Sequence, residues 1–364
     1  MIPYILIFVI VFSGFLTEQF SSKSRFFIYW TIIILVALMV GLRDMIGGYD
    51  VFIYAKVFEQ TPPLDLLISS LNYYSIELGR FETGYILVNS VIKLFATDKY
   101  FFFFIVSLIS YFFIAKSFSD LRFRIAAFFV FFSKFFIVSF VYQRQFIAMG
   151  IVFIAIKYLI EEKKILFIFL ILVASTIHLS ALTIMPLLFL CKIKYSNTHL
   201  FVIYISALII GISPVMKTVL FYISEMEEFD KAATYAITEQ SAIHIMYLIE
   251  STFLIITTLM YRNDFTKDKR SLAIFNVLVL YIVFTLLVIR DSGLNRIPWY
   301  YSFGYCIMLP QLFMKLIKNK FMTVIVLLLF CSFLFFRNVL VRDGGNNVPY
   351  KAIFMNTQRH NIHE

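Results

Sequence analysis

The sequence predicts an all-α, polytopic integral membrane protein with about 10–13 membrane helices, some of them short, re-entrant or broken. Two observations carry that prediction. Of 364 residues 61% are hydrophobic and only 15% charged, a balance that no soluble domain of this size has. Long apolar runs are separated by loops, several of them short and basic and two of them, 43–83 and 223–240, predominantly acidic. Aromatic residues make up 19% of the chain, with 45 Phe and 22 Tyr, and suit lipid-facing and interfacial positions. The whole of 1–364 reads as a single transmembrane domain. It has no repeats, no low-complexity tracts and no soluble module.

The first run opens MIPYILIFVIVFSGF. It lacks a basic leader and a small-residue cleavage site, so it reads as a retained membrane segment. Further apolar runs lie near 26–42, 84–96, 100–118, 125–142, 146–160, 165–190, 199–222, 241–261, 271–289, 300–314 and 321–336. Basic short loops mark the cytoplasmic side: Lys23 and Arg25, Arg122 and Arg124, Lys163 and Lys164, Lys192 and Lys194, Lys267 to Arg270, and Lys315 to Lys320. Loop 43–83 has six acids against three bases, and loop 223–240 five against one, so both belong outside with loop 290–299. The net charge of +10 therefore reflects topology and anionic lipid, not nucleic-acid binding.

Parity then constrains two runs. Two apolar segments separate outside loop 43–83 from inside loop 119–124, where one crossing is allowed. Segment 84–96 is thus re-entrant or lies at the outer surface. Segment 165–190 lies between two basic loops and must go up and come back, turning near His178. Broken backbone at membrane depth is tolerated inside protein or beside a watery cavity. The tail 337–364 falls outside by parity, although it has four bases against two acids.

The candidate chemistry lies at the outer ends. Arg144, flanked by Gln143 and Gln145, and His178, close to Ser180, terminate two apolar helices that share the turn 161–164. An arginine at an apolar boundary is costly without an anionic partner. Arg43 and Asp44 fit snorkelling at a helix end, whereas Asp50 follows a glycine turn. Glu82 reads equally as an acid favoured by a helix N-terminus. Arg290 and Arg296 either anchor helix ends or join Arg144 in one outer cavity. His199 and His244 look structural, and His360 with His363 is a weak metal pattern. Cys191, Cys306 and Cys331 are scattered and suit packing. No Walker loop, dinucleotide fingerprint or Asp-x-Asp site is present, which argues against a nucleotide donor. Arginines suit a diphosphate, aromatics a sugar ring, and a carboxylate or imidazole a sugar hydroxyl. Neither a metal nor another cofactor is expected.

The residues resemble the EpsG-like family of Wzy-type polysaccharide polymerases. The matching pieces are Gly41-Leu42-Arg43 with Gly48-Tyr49-Asp50 and Tyr54; Phe81-Glu82-x-Gly84-Tyr85; Arg144-Gln145-x-x-Ala148; the basic turn before Phe167; His178-x-Ser180; Arg296 with Tyr300; and Pro349-Tyr350-Lys351. Gly48-Tyr49-Asp50 departs from the family's glycine followed directly by a small polar residue and Asp. The resemblance implies a polymerase joining repeat units carried on polyprenyl diphosphate at the outer face of the bacterial cytoplasmic membrane. Its product would be capsule, exopolysaccharide or O-antigen. The implied catalytic set is Arg144, His178, Glu82 and Asp50. Arg43, Tyr54, Gln145, Ser180, Arg290, Arg296 and Tyr300 would bind substrate. Implied partners are the lipid-linked oligosaccharide, membrane lipid, a flippase and a chain-length regulator, with no nucleic acid. A flippase of the same lipid-linked sugar and a membrane O-acyltransferase are the alternative readings.

Overall fold

A computed structural model describes residues 1–20, 25–69, 81–216, 218, 242–291, 294–341 and 347–355. The tip of the first long loop, loop 223–240, Ser292, Gly293, His360 and His363 lie outside the described residues. Among the described residues the secondary structure is helical with no β-strand. Among the described residues six helices of 18 or more residues are apolar enough to cross a membrane. At 1.5 Å per residue each reaches roughly 27 Å or more, close to the thickness of a hydrocarbon core. The protein is an all-helical polytopic membrane protein. The chain divides into two compact units.

The first unit comprises Met1–Leu159, Lys163–Leu182 and Ile317–Glu364. Its long helices are α1 (Ile2–Phe20), α2 (Arg25–Gly41), α6 (Lys99–Phe118), α9 (Gln143–Ile160) and α16 (Lys320–Val341). Between them lie α3 (Tyr49–Gln60), α4 (Leu64–Ser69), α5 (Thr83–Lys93), α7 (Arg124–Phe135), α8 (Val138–Val141) and α10 (Lys164–Ile177). Apolar side chains gain little by leaving lipid, so dispersion and polar contacts must hold such helices together. The sequence of α7, RIAAFFVFFSKF, meets that need with phenylalanine, and every residue from Ile125 to Phe135 is buried. Phe132 stacks on Phe335 of α16 at 5.1 Å, and Phe15 of α1 stacks on Phe129 at 5.3 Å. The opposite faces of α1 and α2 keep residues such as Leu6 and Phe27 exposed, as lipid contact requires.

Polar contacts define the two ends of this unit. At one end the buried Glu18 carboxylate accepts from the amides of Ile125 and Ala126 at 2.9 and 2.8 Å. It thereby satisfies orphan donors at the start of α7. At the other end residues 347–355 fold back on the first loop. Asp44 donates its amide to Lys351 O at 2.9 Å, and Ile353 its amide to Leu42 O at 3.0 Å. Arg43 and Ala352 form an isolated antiparallel bridge. The Tyr350 hydroxyl donates to Met39 O at 2.7 Å. Residues 347–355 of the tail therefore share an end with loop 42–44, as parity expects.

Helix α5 does not cross. Its first residue follows Glu82, which contacts the start of α9 and the end of α10. Lys93 at its last turn donates to Glu59 O at 2.9 Å, and the chain then enters α6 at the end where Tyr100 meets Asp44. Segment 165–190 breaks where expected. His178 leaves α10 in an extended conformation, and a 3-10 turn, Leu179–Ile184, follows.

The second unit comprises Ile160–Glu162 and Thr183–Leu316. It holds α11 (Leu187–Leu190), α12 (Asn197–Ile212), α13 (Ile245–Phe265), α14 (Lys269–Leu287), a 3-10 helix Leu294–Tyr301 and α15 (Ser302–Leu316). Helix α14 is buried over most of its length and is the centre of this unit. Its Asn276 amide donates to Leu190 O and Ile193 O, both at 2.9 Å, and satisfies carbonyls where α11 ends. Lys192 pairs with Glu162 at 2.8 Å. The residues that flank segment 163–191 thus lie together.

Candidate active site

Three helix termini of the first unit converge on Glu82. Arg144 lies in the first turn of α9, where the helix dipole already presents positive charge and makes an unpaired guanidinium unfavourable. Its Nη1 donates to Glu82 Oε2. The other carboxylate oxygen accepts from His178 Nδ1 and from the Leu179 amide, each at 3.3 Å. Glu82 is the N-cap residue of α5 but makes no side-chain bond to its own helix. Its carboxylate is turned instead toward α9 and α10. The expectation that Glu82 simply favours a helix N-terminus therefore gives way to a bridging role.

Close approach of α5 to α10 makes this reach possible. A Cβ on Gly84 would stand 2.2 Å from Thr176 Oγ1 and 2.7 Å from the Thr176 carbonyl oxygen. Only a residue without a side chain lets the two helix ends meet there.

Aromatic rings wall the arginine. The guanidinium carbon lies 4.4 Å from the Phe81 ring centre, 5.7 Å from Tyr85 and 5.8 Å from Tyr54. These are cation–π distances. Phe81 stacks on Tyr85 at 5.8 Å, and Tyr54 meets Tyr85 at 5.9 Å. The side chains of Arg144, Glu82 and His178 are 14%, 16% and 19% exposed. The cluster is sheltered yet open to a ligand. Burial, the largest single influence on Glu82, pushes its carboxyl up. The His178 hydrogen bond and the Arg144 charge outweigh it and hold the carboxyl at about 2. Glu82 is thus a carboxylate throughout the physiological range.

The other expected site residues fall in several places. Tyr54 belongs to the aromatic wall, and Asp50 lies one turn earlier on α3, half-buried. Gln145 is buried beside Arg144, and Ser180 follows His178 in the 3-10 turn. Arg43 is not brought to this cluster. It is 1% exposed, and it donates Nε to Ile46 O at 3.1 Å, Nη2 to Phe140 O at 2.7 Å and Nη1 to Val40 O. Arg290, Arg296 and Tyr300 belong to the second unit, where Arg290 donates to Ile212 O at 3.0 Å and Tyr300 is buried. Among the described residues no group of three or more His, Cys, Asp and Glu side chains is placed to hold a metal ion.

Phe81, Tyr85 and Gly84 were not among the expected site residues. The signal for them was local. Phe81 and Tyr85 bracket Glu82 at spacings that put all three at one helix start.

Neither curated proteins nor solved structures match the chain. The model of the EpsG family matches residues 26–352, a span that includes Glu82, Arg144 and His178. The chain belongs to the EpsG family, Wzy-like polymerases for exopolysaccharide and related glycans, and its role lies in polysaccharide biosynthesis at a membrane.

Proposed function

We propose that the chain is a glycosyltransferase that polymerises oligosaccharide repeat units carried on polyprenyl diphosphate, with the Glu82 end facing out of the cytoplasmic membrane. The observation that carries this reading is the bridge from Arg144 through Glu82 to His178.

A carboxylate only accepts hydrogen bonds, so Glu82 fixes the proton of His178 on Nδ1 and leaves Nε2 as an acceptor. Nε2 then takes the proton of an acceptor sugar hydroxyl. The hydroxyl oxygen forms its bond to the anomeric carbon of the donor. The bond from that carbon to the diphosphate oxygen breaks, and its electron pair leaves with the diphosphate. Arg144 faces this developing charge from a helix N-terminus, two sources of positive potential in one place. One of its nitrogens is committed to Glu82, and a guanidinium carries five N–H donors in all. The rings of Phe81 and Tyr54 offer apolar faces to a sugar. A flippase would need the cation but not the oriented imidazole.

The test is chain growth on purified lipid-linked repeat units, read as a glycan ladder beside the amount of protein. Arg144→Ala should reduce growth by about 10²-fold or more at near-normal abundance. Arg144→Lys should be clearly impaired, because an ammonium offers no paired donors. His178→Ala should stop growth while lipid-linked single units persist. Wild-type ladders from Arg144→Ala or His178→Ala would overturn the assignment.

A further inference from the structure

A second polar site lies in the first unit, apart from the Glu82 cluster. A small cavity, of a size for one water or one monatomic ion, is lined by Arg43, Ser107, Ser110, Tyr111, Ser139 and Gln143 among others. Arg43 brings a full positive charge into it. The guanidinium is sealed between the rings of Phe103 and Phe140, each 5.2 Å away, and its three hydrogen bonds go to backbone carbonyls. Among the described residues no carboxylate forms an ion pair with it. Asp44, its neighbour in the chain, turns its carboxylate to Tyr100 and to the Met45 amide. A buried charge with rings and neutral dipoles alone around it is costly.

The rest of the lining has spare donors. Ser107 donates to Ala37 O at 2.8 Å and Ser139 to Phe136 O at 2.6 Å, so Tyr111 must donate to Ser139. The Ser110 hydroxyl and both ends of the Gln143 amide have no hydrogen-bond partner among the described residues. Both residues are only 3% exposed. Orphaned groups of this kind inside a protein call for a ligand. A water would satisfy the hydrogen bonds but not the charge.

We propose that this cavity binds a small monovalent anion of chloride's class, accepting from the Arg43 guanidinium, the Ser110 hydroxyl and the Nε2 amide hydrogens of Gln143. The anion ties the end of α2 and the middle of α6 to the first residue of α9, next to Arg144. It completes an internal charge pair that the sequence supplies only by half.

Thermal unfolding of the purified full-length protein tests this without reference to chain growth, so failure of the polymerase reading leaves the anion site standing. Sodium chloride, bromide and gluconate are compared at equal ionic strength. The midpoint should rise in chloride and bromide over gluconate by about 3 °C or more, and the rise should saturate with halide. Ser110→Ala and Gln143→Leu should lose most of that difference. If Gln143→Leu does not fold, Ser110→Ala decides. Crystals grown with bromide should show an anomalous peak in the cavity. Equal midpoints in all three salts, or a halide response undiminished in Ser110→Ala, would show that water fills the cavity and overturn the proposal.

Discussion

Glu82 joins three helix termini through one carboxylate, and its charge has a measurable signature. Its pairing lowers the folded-state value to about 2 from an ordinary 4.5. A lowered acid stabilises the fold fully above the ordinary value and loses that contribution as pH falls toward the lowered one. The stability gap between wild type and Glu82→Gln should therefore be widest above about pH 4.5 and shrink between 4.5 and 2. Thermal unfolding at stepped pH measures it, and curves that stay parallel down to pH 2 would refute the pairing. Arg144 and His178 were legible in the sequence because each interrupts an apolar run, where a charge or imidazole needs a reason. Glu82 was legible only as a candidate. It stands 62 residues from one partner and 96 from the other, and no spacing rule joins helices whose neighbours are unknown. Arg43 reads in the sequence as a charge snorkelling at a helix end, and only the family resemblance implied a substrate-binding role. Burial of its whole side chain is a property of the fold around it, not of the residues beside it.

At the scale of elements the site depends on how closely α5 approaches α10. Gly84→Ala would force its new carbon against Thr176, partly against fixed backbone. Overpacking of this kind costs about 1–3 kcal/mol, and α5 relieves it by moving away. Glu82, two residues earlier, moves with it. Chain growth should fall by about 10²-fold, as for a misplacement near 1 Å, while protein remains in the membrane. Undiminished growth in Gly84→Ala would show that the approach is dispensable. The parity of charged loops had already marked α5 as no crossing and placed a break near His178. Those two inferences succeeded because the count of crossings is a global constraint that short apolar helices must obey. Which helix packs on which was not legible. Phenylalanine-rich helices such as α7 carry no facial pattern, being buried on every side.

The whole first unit has two ends, and labelling can tell them apart. Tyr49 and Phe354 are 60% and 73% exposed at the end that carries Glu82, and Lys318 is exposed at the other. Single cysteines at Tyr49 and Phe354 should react with an impermeant thiol reagent in intact cells, and one at Lys318 only after the membrane is opened. The native Cys191, Cys306 and Cys331 are all buried, which keeps the background low. Reaction at Lys318 with protection of the other two would reverse the orientation. Opposite behaviour of Tyr49 and Phe354 would contradict the pairing of the two segments. The closure of residues 347–355 onto residues 42–44 also sets an order of events during synthesis. The ribosome releases the first loop some three hundred residues before its backbone partner exists. Glu82, Arg144 and His178 emerge in that order, so an arginine entering the membrane finds its carboxylate already made. The strand-like clasp over Arg43 can form only when the last stretch has been translated. A stop codon ahead of Asn347 would leave the Glu82 cluster encoded in full and the first loop without its clasp.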